Sequence, residues 1–221
     1  MGERTALLLG ATGLTGQACL QLLLECSAYN KVITITRRPL YMREPKHRNI
    51  VIDFSDIENT FPVCKPDDVY CTLGTTMAQA RSREKFYETD FHIPLRIARV
   101  TLQQGAKRFI LCSATGASPR SMFFYNRVKG ELEQSLQQLP FEAIHIFRPS
   151  LLLGKRTEKR TGERVAQLLL PKVSFLLKGP LKRYRGTPVS ELAQKMVSAG
   201  ISDLSGIHIY ENERIIHYDN N

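Results

Sequence analysis

The sequence predicts an α/β fold, a doubly wound parallel sheet with a small C-terminal substrate cap. Three observations carry that expectation. Apolar runs alternate with runs at helical spacing as far as residue 149. The apolar runs are nearly continuous, as in strands covered on both faces. A glycine-rich turn, "GATGLTG" at Gly10–Gly16, joins the first such run to the first helical one. A chain of 221 residues suits one domain of this kind. The expected division is a core over 1–154 and a cap with the last helix and strand over 155–221.

"TALLLGA" (5–11) reads as a buried strand, and "TGQACLQLLLECS" (15–27) as a helix. "KVITITR" (31–37), rich in β-branched residues, is the second strand, and "NIVIDF" (49–54) the third. The link between them, "RPLYMREPKHR", is too short and proline-rich to favour a crossover helix. "DDVYCTL" (68–73) is the fourth strand. Residues 82–105 read as a helix, with Phe86, Ile93, Ile97 and Val100 on one face and Gly105 as its C-cap. Pro94 either kinks this helix or opens its second part. "KRFILCSA" (107–114) is the fifth strand, 123–139 a helix and "FEAIHIFRP" (141–149) the sixth strand. Beyond it, 162–179 reads as an amphipathic helix broken at Pro171. A helix over 188–200, capped by Ser190 and Gly200, and a last strand over 206–215 complete the chain.

Hydrophobic residues make up 43% of the chain and charged residues 24%, which is globular composition. No apolar run is long enough to span a membrane. The N-terminus has neither a signal-peptide layout nor the Ser or Thr at position 6 of a myristoylation signal, so a cytoplasmic location is expected. Five cysteines, without a C-x-x-C, fit reduced buried thiols better than a zinc site, and no metal is assigned. The net charge is +10, and Lys155 to Arg185 contribute +8 of it through ten basic and two acidic residues. That segment is a solvated loop and cap, or a surface for anions or an acidic protein partner through Arg156, Lys159, Arg160 and Arg164. Nucleic acid is disfavoured, since no recognition helix or aromatic-rich strand accompanies the charge. His145, inside a strand, reads as a satisfied core residue.

The glycine turn sits between a strand and a helix, the context that makes such a motif bind a pyrophosphate. Its G-x-x-G-x-x-G spacing lacks the G-K-[ST] ending of a P-loop. Gly10, Thr12, Gly13, Leu14, Thr15 and Gly16 are the expected contacts. Arg37 and Arg38 end the second strand, where enzymes using NAD place an acidic residue for the ribose diol. Guanidinium groups pair well with a phosphate, so the expected cofactor is NADP(H). Asp53 and Phe54 close the third strand, and Leu73, Gly74 and Thr75 follow the fourth. These are expected beside the adenine and the ribose.

Tyr125 and Lys129 stand four apart, hence on one helix face. A nearby cation stabilises a phenolate, so Lys129 would lower the pKa of Tyr125 and let it exchange a proton with a carbonyl or alcohol. Ser113, twelve residues earlier, is the candidate for holding the substrate oxygen. A Y-x-x-x-K alone is common; the glycine turn and Ser113 give this one its weight.

Together "GATGLTG", "RR", "LGTT", "CSATGAS", "YNRVKGELE" and "FRPSLLLG" resemble the atypical short-chain dehydrogenase/reductases, nearest to the Tat-interacting oxidoreductase-like group. The resemblance spans essentially the whole chain. It implies a seven-stranded Rossmann-type sheet with NADPH along its C-terminal edge and Ser113, Tyr125 and Lys129 as the catalytic residues. Tyr125 and Lys129 would also contact the cofactor, and Arg148, Pro149 and Ser150 match the segment that flanks the nicotinamide. Many relatives carry an asparagine for a proton relay where this chain has "ETDFHIP", with Asp90 the nearest match. The implied activity is an NADP(H)-dependent reduction of a carbonyl or oxidation of an alcohol. The alternatives are an NADPH-binding regulatory protein without turnover and an epimerase or dehydratase of the nucleotide-sugar type. A monomer and a homodimer are both compatible with the resemblance.

Overall fold

The computed structural model describes residues 4–154 and 185–216. In chain order its elements begin with β1 (Arg4–Leu9), α1 (Leu14–Glu25), β2 (Tyr29–Thr36) and β3 (His47–Val51). A 3-10 turn (Phe54–Asp56) leads into α2 (Ile57–Thr60), followed by β4 (Asp68–Cys71), α3 (Met77–Ala80) and α4 (Arg83–Tyr87). A π-helical turn (Glu88–His92) runs into α5 (Ile93–Gln103); then come β5 (Arg108–Cys112), α6 (Phe124–Leu136) and β6 (Ala143–Arg148). The described C-terminal part holds β7 (Leu152–Leu153), β8 (Thr187–Pro188), α7 (Val189–Gly200), β9 (Gly206–Glu211) and α8 (Asn212–Ile215).

Seven parallel strands form one Rossmann-type sheet in the order β3-β2-β1-β4-β5-β6-β9, and β7 pairs with β8 apart from it. Alternate residues of each strand face opposite helical layers. In β1, Leu7 and Leu9 enter a core with Ile97 of α5 and Leu132 and Leu136 of α6, while Ala6 and Leu8 enter a second core with Leu20 and Leu23 of α1 and Met196 of α7. The strand order reverses between β1 and β4, and parallel sheets open a crevice at such a point, beyond the strands' C-terminal ends.

No helix joins β2 to β3, as the short proline-bearing link foretold. Pro94 opens the second part of the 82–105 helix. It has no N–H to give the carbonyl of Asp90, and its ring would press on that carbonyl. The backbone widens there into the π turn, closed by the Ile93 N–H on the Glu88 oxygen. Gly105, at φ +96, ends α5 as expected. Two assignments near the C-terminus are corrected. Ser190 lies within α7, whose N-cap is Pro188, and Gly200 belongs to the helix rather than capping it. A Cβ on Gly200 would sit 2.0 Å from the Tyr70 hydroxyl, so close packing against β4 explains the glycine. The expected helix over 162–179 and the basic segment, with Arg156, Lys159, Arg160 and Arg164, lie outside the described residues, apart from Arg185 at the segment's end.

Candidate functional site

The glycine turn is shaped by two close approaches. Gly10 has φ +81, and a Cβ there would lie 2.7 Å from the Thr72 carbonyl carbon. A Cβ on Gly16 would fall 2.0 Å from the Gly10 oxygen. A side chain at Gly10 would push the turn away from the segment after β4, and one at Gly16 would push α1 off the turn. The N–H groups in the first turn of α1 have no acceptor within the helix. No side chain caps them, and no acidic residue occupies that turn. The buried Thr15 hydroxyl has no hydrogen-bond partner among the described residues.

Next to this turn a cavity of about 420 Å³ opens over the C-terminal ends of β4, β5 and β6. Of the expected residues, Gly13, Leu14, Thr15, Leu73, Gly74, Thr75, Ser113, Tyr125, Lys129, Pro149 and Ser150 line it. Thr72, Thr76, Cys112, Ala114, Thr115, Leu151 and Leu152 line it without having been singled out from the sequence. The fourth and fifth strands end earlier than their apolar runs suggest. Thr72–Gly74 and Ser113 therefore leave the sheet and become the cavity wall.

Helix α6 is seated against this wall by small residues. A Cβ on Gly130 would meet the Ser118 backbone at 2.2 Å, and one on Gly116 (φ +79) would meet the Asn126 amide at 2.6 Å. The 113–119 segment thus lies directly on the helix, whose Tyr125 and Lys129 face the cavity. The Tyr125 ring packs on buried Phe86, with 5.6 Å between ring centroids.

Lys129 is 3% exposed, and its Nζ lies 2.8 Å from Oδ1 of fully buried Asp90. The other Asp90 oxygen accepts the Thr75 N–H at 2.9 Å. Asp90 sits in the π turn ahead of Pro94, and α6 packs against that turn. Burial opposes the charge on Lys129. The Asp90 carboxylate, with a smaller contribution from Tyr125, outweighs it and holds the ammonium above the ordinary lysine pKa. Gly74 lies over the pair: a Cβ there would sit 3.3 Å from Lys129 Nζ and 3.4 Å from Asp90 Oδ1.

Ser113 lines the same cavity, but its hydroxyl donates to the buried Glu133 carboxylate. Glu133 is clamped by Arg148 at 2.5 Å, and Arg148 reaches on to Glu211 at 2.7 Å. Glu133 continues the face of Tyr125 and Lys129 at a further four-residue step. That spacing in "YNRVKGELE" was the available signal for it.

The remaining expected residues do not line the cavity. Gly10 and Gly16 shape the turn, and Thr12 is exposed on it, its carbonyl accepting from Gln17. Arg37 and Arg38 are exposed immediately after β2, and the Thr36 hydroxyl donates to the Arg38 carbonyl at 2.7 Å. Asp53 lies two residues beyond β3 rather than closing it. It caps the 3-10 turn through the Ser55 N–H, a hydrogen bond that lowers its pKa. The Phe54 side chain belongs to the core, which leaves only its backbone for a ligand. His145 is fully buried. Its Nδ1 meets the Tyr210 hydroxyl at 3.1 Å, while its Nε2 has no partner among the described residues, so the expectation of a satisfied histidine holds for one nitrogen.

The family model "NAD dependent epimerase/dehydratase family" matches residues 6–173. The chain belongs to that family. Among curated relatives of this epimerase/dehydratase chain, protein HTATIP2 of Rattus norvegicus is 33% identical over 222 residues, covering 98% of this chain and 90% of that protein. FMP52, mitochondrial, of Eremothecium gossypii is 34% identical over 219 residues, covering 96% and 95%. These matches bear out the resemblance to the atypical dehydrogenase/reductases and the Tat-interacting group. They also overturn the cytoplasmic expectation, because relatives matched across nearly the whole chain are named mitochondrial. The layout of the first residues was too weak a signal to place the protein. In fold the chain matches MoeE5 in complex with UDP-glucose and NAD (TM-score 0.71, 15% identity, 94% of this chain and 75% of that one). It also matches the UDP-glucose 4-epimerase of Thermus thermophilus in complex with NAD (TM-score 0.70, 17% identity, 96% and 81%).

Proposed function

We propose that this protein is an NADP(H)-dependent oxidoreductase acting on a carbonyl or an alcohol. The observation that carries the reading is the presence of Tyr125 and Lys129 in one cavity with the open first turn of α1. The residues fit a dinucleotide. Gly10 and Gly16 allow close backbone approach, Thr15 lines the cavity, and Gly74 leaves free the space a side chain would fill. In this reading Gly10, Thr12, Gly13, Leu14, Thr15 and Gly16 hold the pyrophosphate. Arg37 and Arg38 take the 2′-phosphate, and Asp53 and the Phe54 backbone flank the adenine. Leu73, Gly74, Thr75, Pro149 and Ser150 line the nicotinamide half.

When bound, the cofactor supplies or accepts a hydride. Tyr125 holds the proton exchanged with the substrate oxygen. Lys129 stabilises the tyrosinate and offers its remaining N–H groups to the ribose. Ser113 orients the substrate oxygen: its hydroxyl accepts from an alcohol while donating to Glu133, and turns from Glu133 to donate to a carbonyl. Tyr125→Phe tests this assignment. NADPH binding is expected to stay within about two-fold, while turnover of a responsive carbonyl falls by on the order of 10²–10⁴. Undiminished turnover would remove Tyr125 from the mechanism.

Two neighbouring readings have support of their own. The family match favours an epimerase or dehydratase that regenerates its cofactor, which would show conversion without net change in NADPH absorbance. The commitment of the Ser113 hydroxyl to Glu133 favours a cofactor-binding regulator without turnover. The second would bind NADPH yet stay silent on a carbonyl panel.

A further inference from the structure

The Tyr125–Lys129 assignment asks for a positive charge beside the nicotinamide, and that raises a difficulty. The oxidised ring is itself a cation, and a buried ammonium near it disfavours the oxidised form relative to the reduced one. The structure contains a group that offsets this. The Asp90 carboxylate is fully buried, 2.8 Å from Lys129 Nζ, and no other cation is paired with it among the described residues. Its second oxygen is fixed by the Thr75 N–H, so the charge is held in place by the cavity wall itself. Lys129 itself lines the cavity beside the side-chain-free Gly74, where a Cβ would touch both members of the pair. The π turn forced by Pro94 is what brings Asp90 to this spot.

We propose that Asp90 is a positioning residue that cancels the Lys129 charge at the cavity floor and so sets how tightly the site holds oxidised relative to reduced cofactor. The inference rests on the dinucleotide reading above. Lys129 keeps its N–H donors for the ribose while the pair as a whole stays neutral. The cationic ring then enters without facing an uncompensated ammonium. Tyr125 and Cys112, the other titratable groups on the cavity side of Lys129, are neutral when protonated and do not replace the lost charge in an Asp90 variant.

The test needs no substrate. NADP⁺ and NADPH share every group except the charge and hydrogen on the ring, so the ratio of their dissociation constants reports the local electrostatics. It is measured by titration calorimetry for both forms, in wild type, Asp90→Asn, Lys129→Met and the double variant. Asp90→Asn leaves the ammonium uncompensated and should weaken NADP⁺ relative to NADPH by on the order of ten-fold. Lys129→Met leaves the carboxylate and should move the ratio the other way. The double variant should return it close to the wild-type value. A ratio unchanged in both single variants overturns the proposal, even if both affinities fall, since that is what a purely structural pair would give. If Asp90→Asn does not fold by circular dichroism, Lys129→Met alone decides by the sign of its shift. Wild-type protein that binds neither form overturns the dinucleotide reading and this inference with it.

Discussion

The two halves of the candidate site use charge in opposite ways. On the β1–β3 side, Arg37, Arg38 and Asp53 are exposed and do not line the cavity. On the β4–β6 side, Lys129, Asp90 and Glu133 are almost fully buried and paired, and Lys129 lines the cavity, as do Thr75 and Ser113, which bond Asp90 and Glu133. Exposed charges are screened and replaceable, and they act mainly on affinity and on the choice of partner. Buried paired charges are costly to disturb and hold their side chains in place. In the function proposed above, the first half selects the cofactor and the second carries the chemistry.

The turn that joins the two halves is where the comparison is most easily broken. Gly16→Ala puts a methyl group into the Gly10 carbonyl, a contact that only backbone movement relieves. It is expected to cost about 2–4 kcal/mol of stability and to reduce NADPH affinity by more than about ten-fold. A thermal melt and a fluorescence titration check both effects. Normal affinity in a normally stable variant would show that the turn does not hold the cofactor.

A smaller effect is expected from the exposed half. The double variant Arg37→Ala/Arg38→Ala should weaken NADPH by about ten-fold while leaving NADH nearly unchanged, with little change in melting temperature. The wild-type preference should also shrink at high salt, because these guanidinium groups are open to solvent. Equal losses for both cofactors would place the two arginines outside the 2′-phosphate site.

The last effect lies away from the cavity and vanishes at neutral pH. Burial, helped by His208 and Arg108, lowers the His145 pKa to about 4. The native state therefore keeps the ring neutral while the unfolded chain begins to protonate it near pH 6.5. Stability from this source is complete above about pH 6.5 and is lost as pH falls towards 4. At pH 5 the loss is about 2 kcal/mol at most. His145→Gln should flatten the fall in melting temperature between pH 7 and pH 5. An unchanged slope would remove His145 as its cause.

The sheet was legible in the sequence because buried parallel strands leave continuous apolar runs that few other structures produce. The glycine turn was legible because Gly10 and Gly16 answer to local steric demands. Strand ends were overread: "VYCTL" and "FILCSA" continue the apolar pattern into residues that have already left the sheet to line the cavity. Asp90 was named from the resemblance, but its pairing with Lys129, and that of Glu133 with Ser113, was not legible, for another reason. Asp90 and Glu133 are acidic residues at helical positions, and such residues usually face solvent. What turns them inward is tertiary structure, a π turn at Pro94 in one case and a clamp from Arg148 in the other. The location of the protein was read from a missing feature, and relatives named mitochondrial corrected it.

The central claim is that the glycine turn and the arginine-bearing half form an NADP(H) site feeding a reactive cavity. Titrating purified wild-type protein with NADPH and with NADH, followed by nicotinamide fluorescence, tests it most directly. The expected result is saturable binding of both with NADPH tighter by about ten-fold or more. Equal affinity would contradict the assignment of Arg37 and Arg38, and binding of neither would contradict the account as a whole.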